Sequence, residues 1–410
     1  MYKNKSIISW ALYDWANSIF ATVIIAGFFP VVFKSYWASD LTGTESTFWL
    51  GVGNATASLM VVVIAPFIGI IGDKFKIRKQ LLLLFMLIGV ISTALFYIAE
   101  MGDWILVLSL YCIATVGFMS ANVFYDSLLV SICSNQQMDK VSGLGYGLGY
   151  LGGGLSLALC VLFSQQPELL GLEVAIDAVL VCFLFVAIWW FIFSMPLMVW
   201  TEDKYSKNEI NNQSVLSQTV KLFKKVFSNK QTKLFLIAYW IYIDGVDTII
   251  RMAVDYGMAL GFDTGDLIQA LLITQFVGFP AAILYGYIGD RVGAKNALLA
   301  GIGVYALITL LGYNMKSAED FYMLAVLIGL VQGGVQAMSR SYFARMVPDG
   351  QAAEYFGIYN MLGKSAAIIG PIMMGGVALI TGSHRYSILS LLILFIVGAI
   401  VLSRVKLTNE

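Results

Sequence analysis

The sequence predicts an all-α polytopic membrane protein, twelve transmembrane helices arranged as two six-helix halves. Three observations carry that prediction. Of 410 residues, 59% are hydrophobic and only 12% charged, where soluble chains run near 25% charged. About twelve apolar runs approach or exceed the ~20 residues needed to cross hydrocarbon. Short motifs in the first six runs recur, in order, in the last six.

The composition excludes most other classes. Lys+Arg and Asp+Glu are 25 each and the mean hydropathy is +0.81. A soluble chain with zero net charge and so much apolar surface would precipitate. A disordered chain, a nucleic-acid binder with a basic face and a soluble enzyme are therefore set aside. Cys112, Cys133, Cys160 and Cys182 lie in or beside apolar runs with no C-x-x-C spacing, so neither a metal site nor a disulfide framework is expected. His384 is the single histidine, and no His/Ser/Asp constellation presents itself. No enzyme, cofactor or metal is expected. The first run is too long for a signal h-region and no A-x-A site follows it.

Taken in order, the runs are 7–33, 47–71, 80–99, 103–131, 142–164, 173–199, 231–260, 265–288, 295–315, 320–345, 354–381 and 384–403. Internal Gly, Pro or charge is tolerated where a span faces protein or a cavity. The connections are short, and the longest, polar 201–233, parts two groups of six. An N-terminal half over 1–200, a linker over 201–230 and a C-terminal half over 231–410 follow. About 18 of the 25 basic residues fall on the side of the termini, and only Lys34, Lys316 and Arg385 on the other. Both termini are then cytoplasmic. In the linker, Val215, Leu216, Val220, Phe223 and Phe227 alternate with Lys221, Lys224 and Lys225. That pattern suits an amphipathic helix on the inner leaflet, or a solvated basic linker.

The repeat is read from three alignments. Gly69-x-x-x-Asp73-Lys74 ends span 2 and Gly286-x-x-x-Asp290-Arg291 ends span 8, 217 residues on. Trp10, Asp14, Asn17 and Ser18 in span 1 match Trp240, Asp244, Asp247 and Thr248 in span 7. Gly143, Leu144 and Gly149 in span 5 match Gly357, Ile358 and Gly363 in span 11. Parallel six-helix repeats are the major facilitator arrangement. The Asp73 and Asp290 turns, with Arg78, Lys79 and Lys295 following, resemble that superfamily's signature. The position where the signature has Gly holds Lys76 in the first copy and Gly293 in the second. A carboxylate at such a helix end can face a neighbouring helix N-terminus. Asp73, Arg78, Asp290 and Arg291 are therefore candidates for a conformational latch.

Four segments resemble one branch more closely. Tyr13-Asp14-Trp15-Ala16-Asn17-Ser18, Ser142-Gly143-Leu144-Gly145, the run from Gln332 to Ser341, and Phe356-Gly357-Ile358-Tyr359 through Lys364 look like the vacuolar-effluxer-like family. It includes autophagy-related vacuolar amino-acid effluxers of fungi and bacterial relatives. The resemblance covers all twelve spans and implies a secondary transporter whose central cavity is lined by spans 1, 4, 7 and 10.

Each ionised residue at mid-membrane costs about 2.5–3.5 kcal/mol on insertion scales. Asp14, Asp126, Asp244, Asp247, Arg251, Asp255, Arg340 and Lys364 therefore need a shared cavity. In span 7, Asp244, Asp247, Arg251 and Asp255 recur at three- and four-residue steps on one face. Asp247 with Arg251 suits either a structural salt bridge or a binding role. Asp14, with Asn17 and Ser18 beside it, suits a helix cap or a proton site. Arg340 and Lys364 suit either a substrate carboxylate or mutual pairing with the aspartates. Gly145-Tyr146-Gly147 is neither a dinucleotide fingerprint, for want of a strand, nor a potassium filter. Small residues at that density let helices pack closely.

The expected function is secondary active transport of an amino acid or similar small polar solute by alternating access, coupled to protons. A passive facilitator or channel, or a transporter of another metabolite, a siderophore or a drug, stands as the alternative. Small-molecule substrate, protons and membrane lipids are the expected partners. Nucleic acid is not, and a monomer in a bacterial inner membrane is expected.

Overall fold

A computed structural model describes residues 4–203, 214–366 and 369–406. The side chains of Thr44, Val254, Asp255, Ala259, Thr264 and His384 lie outside the described residues, so the expectations for Asp255 and His384 are not addressed. Among the described residues the fold is helical throughout, with no strand.

Helices α1 (Lys5–Trp37), α2 (Glu45–Lys74), α3 (Arg78–Ile98), α4 (Trp104–Ile132), α5 (Met138–Gln165) and α6 (Ala175–Trp200) are the six spans of the first half. A surface helix, α7 (Val215–Ser228), leads into α8 (Lys230–Ala259), α9 (Thr264–Val292), α10 (Ala294–Asn314) and α11 (Ala318–Ala344). Span 11 (Ala352–Thr381) is described over α12 (Ala352–Ala366) and α13 (Ile369–Thr381), and span 12 is divided into α14 (His384–Leu389) and α15 (Leu391–Ser403). Eleven spans among the described residues are long and apolar enough to cross a membrane. The twelfth, α8, is long enough at 30 residues but carries Asp244, Asp247, Arg251 and Asp255. Leu59, Ile98, Leu379 and Ile380, 65–87% exposed, make sense only against lipid.

Local chemistry sets the ends. Asn4 accepts from Ser6 N at 3.0 Å and starts α1, so Asp14 lies inside the helix rather than capping it. Capping boxes at Thr42–Glu45 and Ser317–Asp320 open the second and tenth spans. Asn229 caps α8 through Gln231 N and Thr232 N. The C-terminal part of α1 widens into π-helix over Phe20–Phe28 and Phe33–Trp37, a form that is rare and concentrated at functional sites.

The repeat extends to how spans 6 and 12 are finished. Lys79 Nζ donates to the carbonyls of Met198 and Thr201 at 2.9 and 2.6 Å. Lys295 Nζ donates to those of Ser403 and Val405, both at 2.7 Å. Cations satisfy the orphan carbonyls of each half's last helix. The termini share one end: Ser6 Oγ donates to Trp200 O at 3.0 Å and Lys406 N to Gln231 Oε1 at 2.7 Å.

The halves interlock through glycines nearest that terminal end. A Cβ on Gly143 would come within 2.7 Å of Ala282 O, and one on Gly286 within 2.8 Å of Asp139 O. Gly69 against Ala353 O (2.3 Å) and Gly357 against Ala65 O (2.6 Å) do the same between α2 and α12. Gly147 meets Ile283, so the Gly-Tyr-Gly run is a helix-packing surface. Only residues without a side chain let these backbones approach.

Candidate functional site

Spans 1, 4, 5, 10 and 11 bring side chains from both halves to one buried point. Arg340 on α11, 2% exposed, reaches across into the first half. Its Nη1 donates to Asp126 Oδ1 at 3.1 Å, and its Nη2 lies 3.7 Å from Asp14 Oδ2. Its Nε donates to Ser142 Oγ at 2.9 Å and its Nη2 to Ser142 O at 3.1 Å. The rings of Tyr146, Trp10 and Tyr125 stand 4.3, 4.7 and 5.3 Å from the guanidinium carbon. Ring faces stabilise a desolvated cation, and the planar fork suits several acceptors at once.

The carboxylates are held in turn. Tyr125 OH donates to Asp14 Oδ2 at 3.1 Å, and Trp10 Nε1 fixes the helix by donating to Tyr125 O at 2.8 Å. Asn360 Nδ2 on α12 donates to Asp126 Oδ2 at 3.0 Å. Asp126 thus joins α4 to α11 and α12 together. Asn17 donates to Asn122 Oδ1 at 2.6 Å. Ser18 and Asp14 both crowd Gly149, where a Cβ would lie 2.6 Å from Ser18 Oγ and 3.2 Å from Asp14 Oδ1.

A second group lies beside the first. The charges that bear on Lys364 are those of Asp247, Arg251 and Asp126. Among the described residues no ion pair within 4.0 Å joins Asp247 to Arg251, although Arg251 is the first of the cations acting on it. Arg251 is exposed. Asp244, 1% exposed, turns elsewhere: both its oxygens accept from Gly370 N at 3.1 Å. That contact ties α8 to α13.

At the terminal end Asp73 Oδ2 accepts from Glu354 N at 2.9 Å, on the first turn of α12. Arg78, 3% exposed, lies 3.8 Å from Asp73 Oδ1, pairs with Asp203, and donates to Ser131 Oγ at 3.1 Å. In the second copy Asp290 meets Lys140 Nζ at 2.5 Å instead of a backbone N–H, and Arg291 is exposed. Asp139 accepts from Ser341 Oγ at 2.5 Å and from Arg345 Nη1 at 2.9 Å. Ser142, Tyr125, Tyr146, Asn360, Asp139, Lys140, Arg345 and Asp203 had not been singled out for these roles. Ser142 and Asn360 lie within the segments that carried the family resemblance, and that was the available signal.

The family model described as vacuole effluxer Atg22 like matches residues 36–137 and 130–410. The MFS-type transporter YxiO of Bacillus subtilis is 37% identical over 403 residues, 96% of this chain and 93% of that one. Autophagy-related protein 22 of Eremothecium gossypii is 22% identical over 97% and 90% of the two chains. Among solved structures, the human organic anion transporter MFSD10 (TETRAN) superposes with a TM-score of 0.77 at 13% identity, covering 97% of this chain and 99% of that one. The proton:xylose symporter XylE gives 0.70 at 13% identity, over 97% and 94%. These likenesses carry the twelve-helix fold, and the named relatives are transporters rather than enzymes. With the helical architecture and the buried inter-half cluster already described, the chain belongs to the vacuole effluxer Atg22-like family and is an integral-membrane solute transporter of the major facilitator type.

Proposed function

We propose that the protein moves an amino acid, or a similar small zwitterion, by proton-coupled alternating access. In this reading it is a monomer in a bacterial inner membrane, surrounded by lipid, with both termini cytoplasmic. The observation that carries the reading is the charge arithmetic of the cavity. One guanidinium, Arg340, is shared by two carboxylates from the other half. One carboxylate of the pair is therefore in excess, and an uncompensated charge in the membrane is costly. A proton on Asp14 or Asp126 removes that cost. Rocking the halves apart at the terminal end must withdraw Arg340 from both, which changes their affinity for that proton. Lys364 and Asp247 supply the opposite charges a zwitterion needs. Asp73, Arg78, Asp290 and Arg291 belong in this reading to the latch that closes the terminal end.

Counterflow of a panel of amino acids in proteoliposomes tests the cargo, and none exchanging would overturn it. Uptake driven by an imposed pH gradient tests the coupling. Uptake unchanged by the gradient and by Asp14→Asn, Asp126→Asn and Asp244→Asn would overturn that part. Lys364→Gln is expected to raise KM at least tenfold while kcat changes less.

A further inference from the structure

Helix α7 has three faces. Thr219, Leu222 and Val226 are buried against the bundle. A quarter turn away, Leu216 and Val220 are 69% and 54% exposed, with the stacked rings of Phe223 and Phe227 beside them at 6.2 Å. The remaining face carries Lys221, Lys224 and Lys225, all exposed, and the helix has no acidic residue. Only Asn229 separates α7 from α8, which keeps it level with the point where span 7 begins. Water offers nothing to the apolar face. A bilayer surface accepts it between the acyl chains while the adjacent lysines meet negative headgroups.

The same helix touches the latch. Lys225 Nζ donates to Gln351 Oε1, and Gln351 Nε2 donates to Glu354 Oε2 at 2.7 Å. Glu354 N in turn donates to Asp73. We infer that α7 is a docking surface for anionic phospholipid, and that seating it there favours the state closed at the terminal end through Lys225, Gln351 and Glu354. The inference rests on the alternating-access reading with cytoplasmic termini.

The test uses the full chain with its native cysteines replaced and spin labels at positions 136 and 349, exposed sites in opposite halves. Distances are measured in nanodiscs of phosphatidylcholine alone or with roughly a third phosphatidylglycerol, a dose sufficient for polybasic segments. The ratio of short to long distances is expected to rise at least twofold with phosphatidylglycerol. Lys221→Gln with Lys224→Gln should remove that response. Lys225→Gln should also remove it, while a label at position 216 still reports insertion into the bilayer. Identical distributions in the two lipids, or an undiminished response in the double variant, would overturn the inference. Asp73→Asn separates the two levels. If it lengthens the distances while lipid does nothing, the lipid coupling alone fails. If it leaves them unmoved, the latch itself is wrong.

Discussion

The guanidinium of Arg340, in the second half, donates to the carboxylate of Asp126, in the first, at 3.1 Å, and the pair is almost wholly buried. Removing one partner of such a pair strands the other, which costs about 3–5 kcal/mol. Arg340→Ala is therefore expected to lower the thermal midpoint of the purified protein sharply. Asp126→Asn should be far milder, because Asp14 still faces the cation and Asn can accept its bond. Arg340→Lys should behave like a loss, since one ammonium cannot reach Asp126, Asp14, both Ser142 acceptors and three rings. Melting of the three variants in detergent checks the order. A Lys variant as stable as the parent would contradict the multidentate role.

Lys76 has φ +58°, the one non-glycine residue with positive φ among those described. Its counterpart in the second half, Gly293, has φ +87°. The turn that follows Asp73 and Asp290 thus demands a left-handed residue, which costs a side-chain-bearing residue roughly 1–2 kcal/mol. Lys76→Gly is expected to stabilise by about 1 kcal/mol or less after its own entropy is counted. Gly293→Ala should destabilise by at least as much. Thermal unfolding of the two single variants checks the opposite signs.

That pair also marks where sequence reading stops. The spans, their number and the repeat were legible because apolar length and recurring motifs are local properties. Asp244, Asp247 and Arg251 were placed on one helical face by spacing alone. Their partners were not legible. Asp126 and Arg340 are 214 residues apart, and nothing local says which way two spans are rotated toward each other. Asp244 reads like its neighbours in sequence, yet it turns to Gly370 N of α13, 126 residues away. The missing Gly at position 76 was visible, but the left-handed backbone that gives it meaning was not.

Cys133 lies just beyond α4 at the terminal end, where burial pushes its thiol up to about 12 and its Sγ donates to Leu129 O at 3.3 Å. A raised thiol stays protonated, so the nucleophilic thiolate is scarce at neutral pH and is recovered only as pH approaches that value. In a background lacking Cys112, Cys160 and Cys182, maleimide labelling at pH 7.5 is expected to be slow. Opening the terminal end restores solvation and lowers the pKa toward that of a free thiol. Asp139→Asn with Arg345→Gln, which removes an ion pair between the halves at 2.8 Å, should then speed labelling at least fivefold. Equal rates before and after would mean that Cys133 does not report on that interface.

Gly370 carries the tightest approach in the second half. A Cβ there would fall 1.9 Å from Thr248 Oγ1 and 2.8 Å from Thr248 Cβ, closer than real atoms come. Any side chain must push the start of α13 away from α8, and with it the N–H that both oxygens of Asp244 accept. Overpacking of this kind costs about 1–3 kcal/mol, and the strained bonds to a buried carboxylate add to it. Gly370→Ala is therefore expected to destabilise strongly and to impair any transport that depends on α13. Thr248→Ala, which deletes Oγ1 and Cγ2 but leaves the Cβ, should be tolerated alone and should restore part of the loss in the double variant. Asp244→Asn keeps an acceptor for Gly370 N and removes only the charge that strengthens that bond, so a loss of about 1 kcal/mol is expected. A double-mutant cycle between positions 248 and 370, read by thermal melting, should show a coupling well above 0.5 kcal/mol, the noise expected of independent sites. A coupling of zero would mean that α13 sits free of α8 and that Asp244 does not anchor it.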